Sequence, residues 1–182
     1  MKLKILVLVL ALQSAWVVGT ALIQEHALSH GRTILLETEP VDPRDLLSGD
    51  YVILNYKIST LPFGLFSPVL TNDLPRGKPV YVALEQHGTF YEPVRASVTP
   101  LQPAAGQVVL KGHSIYGWNQ DKVRVAYGLE RFYVHEGTGN PRGKLTAQIV
   151  VPDSGQGQVK RVFVDGKPYA EAARQQSRTN AP

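Results

Sequence analysis

The feature that most constrains this chain is an uncharged stretch from Ile5 to Ile23 near its N-terminus. A helix that crosses the hydrocarbon core of a bilayer needs about 20 mostly apolar residues, and this stretch nearly reaches that length. Lys2 and Lys4 precede it, and positive charges favour the cytoplasmic side of a span. The sequence therefore predicts an N-terminal membrane helix over residues 1–30, with the rest of the chain outside the cytoplasm.

The same stretch also fits a removable signal sequence. Its most apolar part, Ile5–Leu12, is short, and the small residues Gly19–Ala21 could form a cleavage site. We favour a retained anchor because the whole stretch is long enough to span, and because Gln24–His30 contains no proline and can extend the helix to Gly31. Cleavage after Ala21 stays open at this point.

The rest of the chain is dominated by short segments in which apolar and polar residues alternate. The chain has 16 glycines and 13 prolines, which are spread along it rather than gathered in one block and favour many short strands over long helices. The segments are 33–39, 51–58, 80–86, 90–98, 108–115, 122–127, 130–135, 145–151 and 159–164. Eight or nine strands of this length predict a mainly β domain over residues 31–169, folded as a compact antiparallel β-barrel or sandwich.

Turn residues and breaks refine this prediction. Pro93 lacks a backbone donor, so its strand is expected at a sheet edge or at a bulge. Asp165–Gly166 is a strong tight-turn signal. Leu61–Pro79 is predicted to be a loop, and residues 170–182, which show no apolar face, a flexible and frayed tail.

Composition excludes several classes of function. The chain has no cysteine, which excludes disulfides, thiolate metal sites and thiol nucleophiles. The formal net charge of +4 is small and its basic residues are dispersed, so we expect no nucleic-acid partner.

The segment from Pro40 to Tyr56 combines a helix start, a turn and a strand. Asp42 can cap a one-turn helix with Pro43 at its first position, and Gly49 can end that turn. From Tyr51 onward, successive residues alternate between two faces, as in a β-strand. The residues predicted on its apolar face are Val52, Leu54, Tyr56 and Ile58.

Two blocks of residues carry a resemblance to a known family. Residues 49–56 read GDYVILNY, which contains GDYxxLxY without a mismatch. The matching residues are Asp42, Pro43, Arg44, Gly49, Asp50, Tyr51, Leu54 and Tyr56 in the first block, and Tyr127, Gly128, Glu130, Glu136 and Gly137 in the second. The chain thus resembles the GDYXXLXY protein family over roughly Gly31–Tyr169.

The resemblance implies a bacterial protein of uncharacterised function, anchored by one span in the inner membrane with its C-terminal domain in the periplasm or outside. Such proteins are often encoded near multi-span membrane proteins, which suggests a partner of that kind besides membrane lipid. The family has no established chemistry, so the resemblance implies no catalytic residue, no metal and no cofactor.

The candidate site residues also have ordinary structural explanations. Arg44, Asp50 and Tyr51 could form a small recognition surface, but an aspartate in a turn more often bonds to nearby backbone N–H groups. Glu130 and Glu136 share strand parity and could act as a carboxylate pair, although solvated charges at a rim are the more frequent outcome. For both sets we favour the structural explanation.

His26 and His30 would share one face of the extended helix, since they are four residues apart. Two ligands do not complete a zinc site, so we expect a polar face beside the membrane rather than a metal centre.

The leading hypothesis is a non-catalytic accessory or interaction module for a membrane partner. One alternative is a hydrolase resembling type I signal peptidases, but Ser29, Ser48 and Lys57 do not form the serine–lysine pattern which that chemistry needs. Another is a small barrel for an envelope ligand, for which Trp118 is the one candidate stacking ring outside the apolar stretch.

Overall fold

The structure is a computed structural model that describes residues 2–39, 51–70, 72, 74–115, 121–134, 141 and 143–179. The helices are α1 (Lys2–His30) and α2 (Tyr169–Thr179). The strands are β1 (Arg32–Glu37), β2 (Tyr51–Ile53), β3 (Thr60–Pro62), β4 (Pro79–His87), β5 (Phe90–Ser97), β6 (Val108–Ile115), β7 (Lys122–Ala126), β8 (Arg131–Tyr133), β9 (Leu145–Val151), β10 (Gln158–Val164) and β11 (Lys167–Pro168).

Helix α1 is long and apolar enough to span a membrane. Its large apolar side chains are exposed, as Leu12, Trp16 and Ile23 show with 70 %, 74 % and 72 % of their surface accessible. The core helix of a soluble protein would bury such residues, because removing apolar surface from water is favourable. The structure therefore agrees with the prediction of one N-terminal helix suited to a bilayer.

Gly31 alone separates α1 from β1. A Cβ atom at this position would lie 2.6 Å from Cγ1 of Val150 and 3.1 Å from the backbone nitrogen of Pro152. The chain therefore leaves the helix in close contact with the end of β9, and the β domain begins directly where the helix stops.

The strands form three antiparallel sheets. The four-stranded sheet has the order β1-β9-β10-β11, the five-stranded sheet has the order β3-β7-β6-β4-β5, and β2 pairs with β8. Strand β5 also packs beside β1, which brings the two larger sheets together into a nearly closed, barrel-like arrangement. The prediction of a mainly β, antiparallel barrel or sandwich after one helix is confirmed.

The core follows the predicted alternation. In β9, Leu145, Ala147 and Ile149 point inward and are buried, while Thr146 and Gln148 between them are only half-buried. The face predicted after Tyr51 is also buried over its whole length, although β2 itself ends at Ile53. Its residues Val52, Leu54, Tyr56 and Ile58 are at most 3 % exposed.

Pro93 and the Asp165–Gly166 turn behave as predicted. Strand β5 lies at the edge of the five-stranded sheet, and its register against β4 shifts between Ala83 and Leu84, where Pro93 is paired. Asp165 and Gly166 both have positive φ angles, 49° and 80°, and connect β10 to β11 as a two-residue hairpin turn.

The prediction for the C-terminal tail is wrong. Residues Tyr169–Thr179 form α2, which packs beside β10 and β11 and buries Tyr169, Ala172 and Ala173. One aromatic ring and two alanines form an apolar face that is too small to detect in a polar sequence, and the small alanine side chains let the helix approach the sheet closely. Among the described residues the structure also has two short strands beyond the nine predicted: β3, which overlaps the start of the predicted loop 61–79, and β11.

Candidate functional site

The two family blocks pair with each other in the fold. Strand β2 of the first block lies antiparallel to β8 of the second, with Tyr51 opposite Tyr133 and Ile53 opposite Arg131. The pairing continues past the strands, since the backbone N–H of Leu54 donates to the carbonyl of Glu130 at 2.8 Å. Two sequence blocks far apart along the chain therefore form one structural unit.

Two buried tyrosines stabilise this unit through hydrogen bonds. The Tyr56 hydroxyl donates to the carbonyl of Leu129 at 2.9 Å, and the Tyr127 hydroxyl donates to the carbonyl of Ile58 at 2.7 Å. Burial raises the pKa of both hydroxyls far above the ordinary tyrosine value, and the nearby charge of Glu130 raises it further. Both groups are thus neutral hydrogen-bond donors committed to main-chain acceptors.

Gly128 and Glu130 shape the turn that leads into β8. Gly128 has a φ of 76°, which favours glycine, and the Glu130 carboxylate accepts the backbone N–H of Tyr127 at 2.6 Å. Glu130 therefore stabilises a turn. Its proposed carboxylate partner, Glu136, lies outside the described residues.

The outer side of the β2–β8 unit carries an aromatic surface. The rings of Tyr51 and Tyr133 lie 6.0 Å apart, and the guanidinium of Arg131 lies 5.1 Å from the centre of the Tyr51 ring. Tyr133 is 71 % exposed. Among the described family residues, Tyr51 is thus the one whose side chain borders an exposed aromatic neighbour rather than the core.

The remaining predicted site residues cannot be placed against this surface. They lie outside the described residues: Asp42, Pro43, Arg44, Gly49, Asp50, Glu136 and Gly137. The one-turn helix at Asp42 and the recognition surface of Arg44, Asp50 and Tyr51 therefore stay predictions.

A charged cluster that sequence reasoning missed ties β1 to two other segments. The carboxylate of Glu37 pairs with Lys57 at 2.6 Å and also with Lys144. The hydrogen bonds from Lys144 and then Lys57 lower the pKa of Glu37. No local sequence pattern indicates this cluster, because its three members come from distant parts of the chain.

The hydrolase alternative finds no support among the described side chains. Lys57 forms an ion pair with Glu37, whereas a serine–lysine mechanism needs the lysine amine beside a serine nucleophile. The Ser29 hydroxyl donates to the carbonyl of His26. Ser114 donates to the carbonyl of Pro75 and accepts from a backbone N–H, which is the bonding expected of a structural hydroxyl. Ser48 lies outside the described residues.

The two helical histidines share a face as predicted, with ring centres 4.2 Å apart. His30 Nδ1 lies 3.0 Å from the Ser29 hydroxyl and 3.0 Å from the carbonyl of His26. Within the part of the chain that the structure describes, no group of three or more metal-binding side chains comes together.

A groove of about 520 Å³ opens between β8 and β10, and we refer to it as the β8–β10 groove. Its lining includes Phe132, Tyr133, Lys160, Arg161, Pro168 and Tyr169. Phe132 and Tyr169 meet edge to face at 6.4 Å, and burial raises the pKa of Tyr169 to about 12. The groove depends on the approach of β8 to residues 160–170, which lie far from it along the chain, so the sequence offered no signal for it.

A family model described as GDYXXLXY protein matches residues 13–162. The chain belongs to the GDYXXLXY protein family. The match starts inside α1 and runs into β10, so the family pattern includes part of the apolar helix as well as the paired blocks of β2 and β8. No curated protein and no solved structure is significantly similar to the chain.

Proposed function

We propose that this protein is a non-catalytic accessory module, anchored by α1 in the bacterial inner membrane, whose β domain binds an integral membrane partner on the periplasmic side. One observation carries the proposal: the buried signature residues serve the fold. Leu54, Tyr56 and Tyr127 are buried, and both hydroxyls are bound to main-chain carbonyls. Such residues build a scaffold and are unavailable for chemistry.

The geometry of the anchor supports a position close to the bilayer. The uncharged part of α1, from Ile5 to Ile23, would measure about 28 Å as a helix, which is close to the thickness of the hydrocarbon core. The helix then continues to His30, about 10 Å further, which is enough to cross one headgroup layer of roughly 5–8 Å. With Gly31 as the one connecting residue, the β domain would rest next to the headgroups.

The exposed aromatic surface supports binding rather than catalysis. Tyr51, Tyr133 and Arg131 are residue types enriched at the centres of protein interfaces. They lie on the outside of the unit whose inner side consists of the family's buried residues. The family signature would therefore serve to present this surface in a fixed orientation.

The test is affinity purification of the tagged full chain from native membranes after crosslinking. A matched control replaces residues 2–23 with an unrelated apolar span of the same length and orientation, and keeps the β domain. We expect one integral membrane protein to co-purify with both forms above the level seen with an unrelated single-span protein. Recovery of no integral protein above that background would refute the proposal.

A further inference from the structure

The β8–β10 groove has strand edges on two sides. Within the described residues, β8 pairs with β2 alone, and β11 covers only the Phe163–Val164 end of the outer edge of β10. Strand edges present backbone N–H and C=O groups, and an extended peptide can satisfy them by adding a strand. The groove therefore offers directional hydrogen bonds beside an aromatic floor.

The floor of the groove is apolar and firmly packed. Phe132 packs against the core and meets the ring of Tyr169, which is 3 % exposed. Tyr133 stands at the rim with most of its surface accessible. Aromatic side chains next to a desolvated pocket are the typical anchors of a protein interface.

A bulge brings two consecutive basic side chains into this groove. The register of β10 against β9 shifts between Val159 and Arg161, so Lys160 is an extra residue in its strand. Neighbouring side chains on a regular strand point to opposite faces, but a bulge re-aims one of them. Lys160 and Arg161 thus both line the groove, and the described residues of its lining include no carboxylate.

The groove is close to the end of the anchor. Lys160 also lines a second cleft, which is formed with Glu25, Leu28 and Ser29 of the last turns of α1. A ligand in the β8–β10 groove would therefore pass next to the point where the anchor helix meets the β domain.

From these features we infer that the β8–β10 groove binds an extended, acidic segment of the integral membrane partner, added as a strand along the exposed strand edges. This inference rests on the proposed function and specifies its site. The backbone edges and the aromatic floor suit a peptide, whereas Lys160 and Arg161 select for negative charge. An anionic lipid headgroup would use the two cations but neither the edges nor the floor.

The test places a photo-crosslinking amino acid at Tyr133 in the full chain in native membranes. Val69, which is 63 % exposed and lies outside the groove, is the control position. We expect a product from Tyr133 but not from Val69, with mass spectrometry locating the crosslink in an acidic extramembrane segment of an integral protein. A product that contains only lipid, or a segment without net negative charge, would overturn the inference.

A pair of charge reversals tests the electrostatic part. Lys160→Glu with Arg161→Glu should reduce the Tyr133 product about tenfold, because two attractive contacts become repulsive. Lys122→Glu with Arg124→Glu is the matched control, since both residues are exposed on β7 and the net charge changes equally. An undiminished product in the first variant would overturn the inference, as would an equal loss in both.

A synthetic peptide of the crosslinked segment provides a direct measurement. Titrated against the full chain in nanodiscs, it should bind, and a version with its carboxylates replaced by lysines should not. If the integral protein still co-purifies but Tyr133 gives no crosslink, or the peptide of the crosslinked segment does not bind, the groove is the wrong site but the proposed function stands. If the integral protein no longer co-purifies either, both the groove as a binding site and the proposed function are refuted.

Discussion

Tyr56 and Tyr127 make reciprocal hydrogen bonds, each to the chain segment that contains the other. Each hydroxyl crosses to the opposite segment and donates to a main-chain carbonyl there, at Leu129 for Tyr56 and at Ile58 for Tyr127. The two segments are thereby held together by side chains beyond the point where the strand ladder ends. The presence of both tyrosines in the family blocks has a direct mechanical explanation.

Removing either hydroxyl should destabilise the β domain. Tyr56→Phe and Tyr127→Phe each leave a buried carbonyl without its donor, and we expect a loss of about 1–3 kcal/mol in the free energy of unfolding. Chemical denaturation of the full chain in detergent would measure this. Tyr133→Phe, at an exposed position, is the control and should change the value by less than about 0.5 kcal/mol. A loss no larger than that of the control would contradict the role assigned to the two tyrosine hydrogen bonds.

The same tyrosines predict a loss of stability at alkaline pH. Burial raises the pKa of Tyr127 in the folded state above its unfolded value of about 10, so folding retains a proton that the unfolded chain releases. The associated stability should be complete below pH 10 and fall as the pH rises above it. Unfolding measured between pH 8 and 11 should show a shallower decline for Tyr127→Phe than for the native chain. An unchanged slope would argue against this linkage.

The ion pairs of Glu37 predict a smaller loss of stability at acid pH. Lys144 and Lys57 lower its folded pKa, so its stabilisation should be present above the unfolded value of about 4.3 and disappear as the pH falls through the folded value. The lysines are more than half exposed, which limits the contribution to about 1 kcal/mol or less. Glu37→Gln should flatten the dependence of the melting temperature on pH between 6 and 3, whereas Glu92→Gln, at an exposed position on β5, should not.

Gly112 marks a position where no side chain fits. A Cβ atom there would lie 2.5 Å from Cγ1 of Val125 and 2.7 Å from the carbonyl oxygen of Ala126. We expect Gly112→Ala to destabilise the fold by about 1–3 kcal/mol through overpacking between β6 and β7. Gly64→Ala is the control, because nothing lies within 4 Å of its Cβ position. Equal denaturation midpoints for the two variants would show that β6 and β7 are less closely packed at Gly112.

The absence of native cysteine allows a clean test of topology. A membrane-impermeant maleimide should label Val69→Cys in cells with a permeabilised outer membrane. It should label Lys4→Cys only after the inner membrane is broken, because the N-terminus is expected in the cytoplasm. The reverse pattern would contradict the orientation. A mature mass lacking residues 1–21 would contradict a retained anchor.

The local sequence pattern was sufficient to predict those strands in which apolar and polar residues alternate regularly. Strand β6 runs over Val108–Ile115 as predicted, and Pro93 indicated an edge position because its missing N–H cannot serve an interior strand. The apolar face of residues 52–58 was also correct, since burial follows a period of two. Helix α2 escaped detection because its buried residues are Tyr169 at its start and the two small alanines Ala172 and Ala173, which give no clear apolar period in the sequence.

The amino-acid sequence by itself determined the apolar helix, the strand-rich β domain and the family, because these depend on local composition, alternation and residue order. The tertiary structure alone decided that the two family blocks pair, that Glu37 joins Lys57 and Lys144, and that β8 and β10 border a basic, aromatic groove. Each of these features joins residues that are far apart along the chain. Which distant segments meet is set by the shared core, and no local pattern carries that information.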